Sequence, residues 1–89
     1  MSNNNDSAHT ELIRSVLADH GRLGDAAASL GENDSLYEAG LTSHASVNVM
    51  LAIEDELDVE FPEHLLRRST FETIANLCAA VDELVQVGA

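Results

Sequence analysis

The chain has no lysine and no tryptophan, and its 89 residues include only four arginines, one cysteine and one proline. Sixteen acidic residues face those four cations, for a net charge of -12. Such a field repels phosphate backbones and argues against nucleic acid as a partner. It attracts proteins with basic patches and speeds their encounter, and it also serves solubility. A single cysteine, Cys78, allows no intramolecular disulfide and no zinc cluster built on thiolates. It fits a reducing compartment. Aromatics are 3% of the chain, so Leu, Ala, Val and Ile must build the core. That composition suits helix packing better than a β-sandwich. No apolar run approaches the ~18–20 residues of a membrane span. The start, Met1–Glu11, has no basic region followed by an apolar one, so it does not read as a signal peptide. The expected location is the cytoplasm. A chain of this length makes one domain and buries roughly 60–65% of its unfolded surface. A shallow groove is compatible with that size, a deep cleft is not.

What is present organises as helices. Residues 1–6 are polar and read as a disordered tail, 7–86 as the domain and 87–89 as a C-terminal tail. Asp6 or Ser7 can cap a first helix over Ser7–His20. Leu12, Ile13, Val16 and Leu17, with His20 one turn on, share one face, and Arg14 and Ala18 lie off it. Gly21 and Gly24 stop that helix. A long connection, Gly21–Thr42, follows, with room for one helical turn at Asp25–Leu30. Leu23, Leu30, Leu36 and Leu41 are placed to pin it to the core. A connection of that length ending at a helix N-terminus is a common place for function.

A second helix is expected over Ser43–Asp58. At roughly 100° per residue, Ser46, Val49, Met50, Ile53 and Leu57 share a core face. Ala45, Asn48, Ala52 and Glu56 make a small or polar side. His44, Val47 and Leu51 form a third side, flanked by Glu54, Asp55 and Asp58. That stripe is either a docking surface or a widening of the core face. Pro62 opens a short third helix over Glu63–Arg67, with Leu65 and Leu66 inward. Ser69 and Glu72 fit a capping box for a fourth. Phe71, Ile74, Leu77, Cys78, Val81, Leu84 and Val85 carry its apolar face to about Val85. The fold class is all-α: three main helices, one short helix and one long loop in a small bundle.

Ser43 is the residue with chemistry to offer. A serine there can cap the helix, but Thr42 can cap it equally well. As a nucleophile it lacks a placed base, because neighbours at i and i+1 on a helix do not face each other, which rules out His44. The G-x-S-x-G pattern is absent. A phosphoester on Ser43 would sit well at a helix N-terminus, where the dipole and free N–H groups favour an anion. His9, His20, His44 and His64 have no close metal-ligand spacing. His9 and His64 are expected to be exposed and His20 to border the core. The acid-rich segments match no calcium loop. Cys78 lies on an apolar face and reads as a core residue.

The segment Leu36-Tyr37-Glu38-Ala39-Gly40-Leu41-Thr42-Ser43 resembles the attachment motif of acyl carrier proteins. Two further landmarks resemble the family: the acid-rich helix end Ile53–Pro62, and Ser69–Ile74 at the start of the last helix. Together they cover about Leu12 to Val85. The resemblance implies a four-helix bundle in which a phosphopantetheinyl transferase joins 4′-phosphopantetheine from coenzyme A to Ser43. It implies cargo held as a thioester, no catalysis by the chain itself, and a monomer. It implies a docking helix read by partner enzymes with basic surfaces: a cargo-loading ligase or synthetase and a downstream acceptor. Val47 and Leu51 match its apolar contact positions and Glu54 and Asp55 its acidic ones, and Thr42 and His44, beside the attachment point, complete the expected docking set.

Thr42-Ser43-His44 stands where the family usually has Asp-Ser-Leu, and Ala45 and Asn48 where fatty-acid carriers often have acids. The G-G-x-S pattern of peptide-synthetase modules is absent. The chain is similar to the small stand-alone carriers loaded with an amino acid by ligases that resemble truncated aminoacyl-tRNA synthetases. A specialised acyl carrier for lipid or secondary-metabolite synthesis is the alternative. An unmodified acidic docking module, with Ser43 only a cap, is the alternative of another class.

Overall fold

A computed structural model describes residues 9–88, and every regular element among them is helical. The first helix, α1, is Thr10–Asp19. Ile13, Val16 and Leu17 are its buried stripe, while His20 is exposed rather than at the core edge. His20 ends the helix, so its side chain falls past the last turn of the stripe. The expected caps, Asp6 and Ser7, and the tail at 1–6 lie outside the described residues. His9 is not exposed as expected: it is largely covered and sits 3.3 Å from Asp82.

The chain leaves α1 tightly. Gly21 and Leu23 donate to the Val16 and Leu17 carbonyls, both at 3.2 Å. A Cβ on Gly21 would stand 2.8 Å from the Leu17 carbonyl oxygen and 3.2 Å from Leu41 Cδ1. Only glycine allows that approach.

The connection to the main helix contains two single-turn helices, α2 (Ala26–Ser29) and α3 (Leu36–Ala39). The first was expected and the second was not. Leu23, Leu36 and Leu41 are buried and Leu30 packs partly against them. Arg14, off the buried face of α1, donates to the Ala27 and Leu30 carbonyls, each at 2.8 Å, and so completes the end of α2. Further on, Leu36 N–H donates to the Glu72 carbonyl at 2.7 Å, and Ala75 N–H to that of Glu32 at 2.9 Å. Buried leucines and these two bonds hold the connection against the last helix.

The main helix, α4, is Ser43–Leu57, ended by Asp58 in the left-handed region. Its buried residues are Ala45, Val49 and Ile53. Met50, Ser46 and Leu57 are only partly covered. The core face is therefore turned toward the small residues Ala45 and Ala52. Small side chains let the helix approach its neighbours closely, so Ala45, expected on the small or polar side, is buried.

After α4, the expected third helix is a 3₁₀ turn at Glu63–Leu65, followed by another at Arg68–Phe71. Leu65 is partly covered but Leu66 is half exposed, against expectation. One short turn does not present two consecutive side chains to one side. Phe61 and Phe71 stack at 5.8 Å between ring centroids.

The last helix, α5, is Ile74–Gly88, longer than expected at its C-terminal end. Ile74, Leu77, Cys78, Ala80, Val81 and Leu84 are buried. The capping box of Ser69 and Glu72 does not form. Thr73 Oγ1 accepts the Asn76 N–H at 3.0 Å instead. The Glu72 carbonyl, which a helix begun at Ser69 would use internally, is taken by Leu36 N–H. A tertiary bond has moved the start of the helix. Among the described residues no helix is long and apolar enough to cross a membrane.

Candidate functional site

Thr42 decides the local geometry. It is extended at φ -97°, ψ 164°, and its hydroxyl oxygen accepts the Ala45 N–H at 3.0 Å. This satisfies one of the N–H groups that a helix start leaves open. Ser43 is therefore the first helical residue and not the cap. It is exposed, and among the described residues its hydroxyl has no hydrogen-bond partner. Its carbonyl accepts from Ser46 Oγ at 2.7 Å.

No base is positioned on that hydroxyl by the described residues. His44 is exposed on the next position. His9 pairs with Asp82, and His64 with Glu83 at 2.8 Å. The arrangement presents a hydroxyl to an outside reagent.

Ser43 opens onto a groove of about 390 Å³. Ser46, Val47 and Met50 continue one wall along α4, and Tyr37, Leu66, Arg67, Arg68 and Phe71 form the other. Arg68 lies over the Tyr37 ring at 3.8 Å, and Tyr37 OH donates to the Arg68 carbonyl at 3.3 Å. Arg67 Nε donates to the His64 carbonyl at 2.9 Å.

The apolar stripe expected on the third side of α4 is exposed. Val47 is 49% exposed and Leu51 51%. Helix periodicity left their side of α4 open, and the tertiary structure leaves it uncovered. Asp55 is exposed as well. Glu54 is different: it is partly covered, and its Oε2 accepts the Phe61 N–H at 2.9 Å. It thus fixes the chain's exit from α4. Thr42 and His44 flank Ser43 and are exposed.

The second wall of the groove was not found from the sequence. Leu66 was expected inward, Tyr37 figured only within the attachment motif, and Arg67 and Arg68 had no part in the site. One signal was available: Arg67-Arg68 is half of all the cationic side chains in a strongly acidic chain.

Residues 11–81 match the family model described as phosphopantetheine attachment site. The chain is 45% identical over 62 residues to the aminoacyl carrier protein of Agrobacterium fabrum, covering 70% of this chain and 75% of that protein. Its fold is similar, at TM-score 0.78 and 39% identity, to a chain in the crystal structure of an engineered Bradyrhizobium japonicum glycine:[carrier protein] ligase complexed with carrier protein from Agrobacterium tumefaciens and ATP. That match covers 84% of this chain and 97% of the other. The solution structure of a holo acyl carrier protein from Nitrosomonas europaea also gives TM-score 0.78, at 28% identity, covering 92% of this chain and 99% of that one.

Proposed function

The chain belongs to the phosphopantetheine attachment site family, and we propose that Ser43 is its attachment residue and an amino acid its cargo. The observation that carries the first half is the division of labour at the start of α4. Thr42 caps the helix, which leaves the Ser43 hydroxyl exposed and, among the described residues, unbonded. In the reaction with coenzyme A, the Ser43 oxygen forms a new bond to phosphorus as the pyrophosphate P–O bond breaks. Adenosine 3′,5′-bisphosphate leaves, and the hydroxyl proton passes to a base on the phosphopantetheinyl transferase. The first turn of α4 then faces an anion, which its dipole and free N–H groups favour. The attached group supplies a terminal thiol that holds cargo as a thioester.

The second half rests on the relatives. One is named an aminoacyl carrier protein, and another is a carrier crystallised with a glycine:[carrier protein] ligase. The loading partner of this chain is accordingly an amino acid:carrier protein ligase similar to an aminoacyl-tRNA synthetase, and a downstream acceptor enzyme takes the cargo. Thr42, His44, Val47, Leu51 and Asp55 form the docking surface, with Glu54 at its edge. The chain acts as a monomer in the cytoplasm, binds no nucleic acid and catalyses nothing itself. An acyl cargo is the second reading, favoured by the apolar Val47, Met50, Leu66 and Phe71 in the groove.

Intact mass tests the attachment. After incubation with coenzyme A, Mg²⁺ and a promiscuous phosphopantetheinyl transferase, the parent gains one phosphopantetheine and Ser43→Ala gains nothing. Absence of the gain in folded parent overturns the assignment. Incubation of the product with glycine, ATP and a glycine:[carrier protein] ligase then adds one glycine. Failure there, with an acyl chain accepted instead from an acyl-loading enzyme, moves the cargo to the second reading.

A further inference from the structure

Arg67 and Arg68 stand together on the wall of the groove that Ser43 opens onto. The chain holds four cationic residues against sixteen acids, yet the ion pairs among the described residues are made by His9 and His64. Neither Arg67 nor Arg68 has a carboxylate partner there. Both are nonetheless held in place. Arg67 uses Nε on the His64 carbonyl, which leaves its terminal N–H groups available. Arg68 lies flat on the Tyr37 ring, and the Tyr37 hydroxyl bonds its backbone carbonyl. Two positioned guanidinium groups without an acid, in a chain full of acids, suit an anion brought from outside.

We infer that Arg67 and Arg68 bind the phosphodiester of the arm joined to Ser43 and seat that arm in the groove. The inference rests on Ser43 as the attachment residue. A phosphodiester adds a negative charge to a chain already at -12, and the two arginines offset it where it enters. Guanidinium forks match phosphate oxygens well and make charge-assisted hydrogen bonds. Val47, Met50, Leu66 and Phe71 line the same groove and receive the hydrocarbon of the arm. The seat holds the arm against its own domain between encounters with partners.

The test compares apo and holo protein by nuclear magnetic resonance, with intact mass establishing modification first. In the parent, modification shifts the Arg67 and Arg68 Nε–H signals and the Val47 and Met50 methyl signals, and leaves Ala79 and Glu83 unmoved. In R67Q/R68Q the mass gain is retained, and the methyl shifts shrink about threefold, the size an exposed charge pair supports. R67K/R68K, which keeps the charge, retains more of the shift than the glutamine variant. Raising ionic strength weakens the parent's shifts. A parent that gains mass but shifts only next to Ser43 overturns the seat and leaves the attachment standing. Full methyl shifts in a folded R67Q/R68Q also overturn it. A parent that gains no mass overturns the attachment and the seat together.

Discussion

Thr42 Oγ1 accepts the Ala45 N–H at 3.0 Å, so the residue before Ser43 carries the helix cap. Thr42→Ala is expected to lower stability by about 1 kcal/mol through loss of the cap. Ser43→Ala is expected to stay within about 0.5 kcal/mol of the parent, as exposed substitutions do. Urea unfolding of both checks this. A large loss on Ser43→Ala would mean that the serine has a structural role after all.

Ile53 and Leu51 are two residues apart on α4 but at opposite extremes of exposure, 0% and 51%. Ile53→Ala should cost about 2–5 kcal/mol as a core truncation. Leu51→Arg should keep the parent's thermal midpoint and slow loading by the ligase at least several-fold. Loading at the parental rate would remove Leu51 from the docking surface.

Glu54 and Asp55 are adjacent acids with different surroundings. Glu54→Ala leaves the Phe61 N–H without its carboxylate acceptor and should cost about 1–3 kcal/mol. Asp55→Ala should be near neutral in stability, within about 0.5 kcal/mol, and act on partner affinity instead. Denaturation midpoints beside ligase-binding titrations separate the two effects. Equal stability losses would contradict the assignment.

Gly21→Ala places a methyl group against the Leu17 carbonyl oxygen and Leu41. It should cost about 1–3 kcal/mol, the range for overpacking in a close-packed site. The loop beyond Gly21 leads to Ser43, so amide signals from Leu23 to Leu41 should move with it. A stable variant with an unchanged spectrum would show that the approach of loop to helix is looser than described.

Much of the architecture is legible in the sequence. The three main helices appear in the sequence as apolar positions at helical spacing, because a helix buries one stripe and needs only local periodicity to do so. Leu23, Leu36 and Leu41 could be assigned to the core because a polar-rich connection holds few other anchors. Ser43 could be placed at a helix start because Gly40 and Thr42 are local signals.

What remained was decided by contacts between residues distant along the chain. The sequence left open whether Thr42 or Ser43 caps α4, and the backbone angles at Thr42 chose. Leu36 N–H captured the Glu72 carbonyl and moved the start of α5 to Ile74. Ala45 rather than Met50 faced the core because close helix approach favours the small side chain. Tyr37 and Arg68, 31 positions apart, met to make the far wall of the groove. By itself the sequence determined the helices, the loop and the serine, since each depends on residues within a turn or two. Only the tertiary structure decided how the buried face of α4 is turned and what stands opposite Ser43, since packing energy depends on neighbours that local spacing does not name.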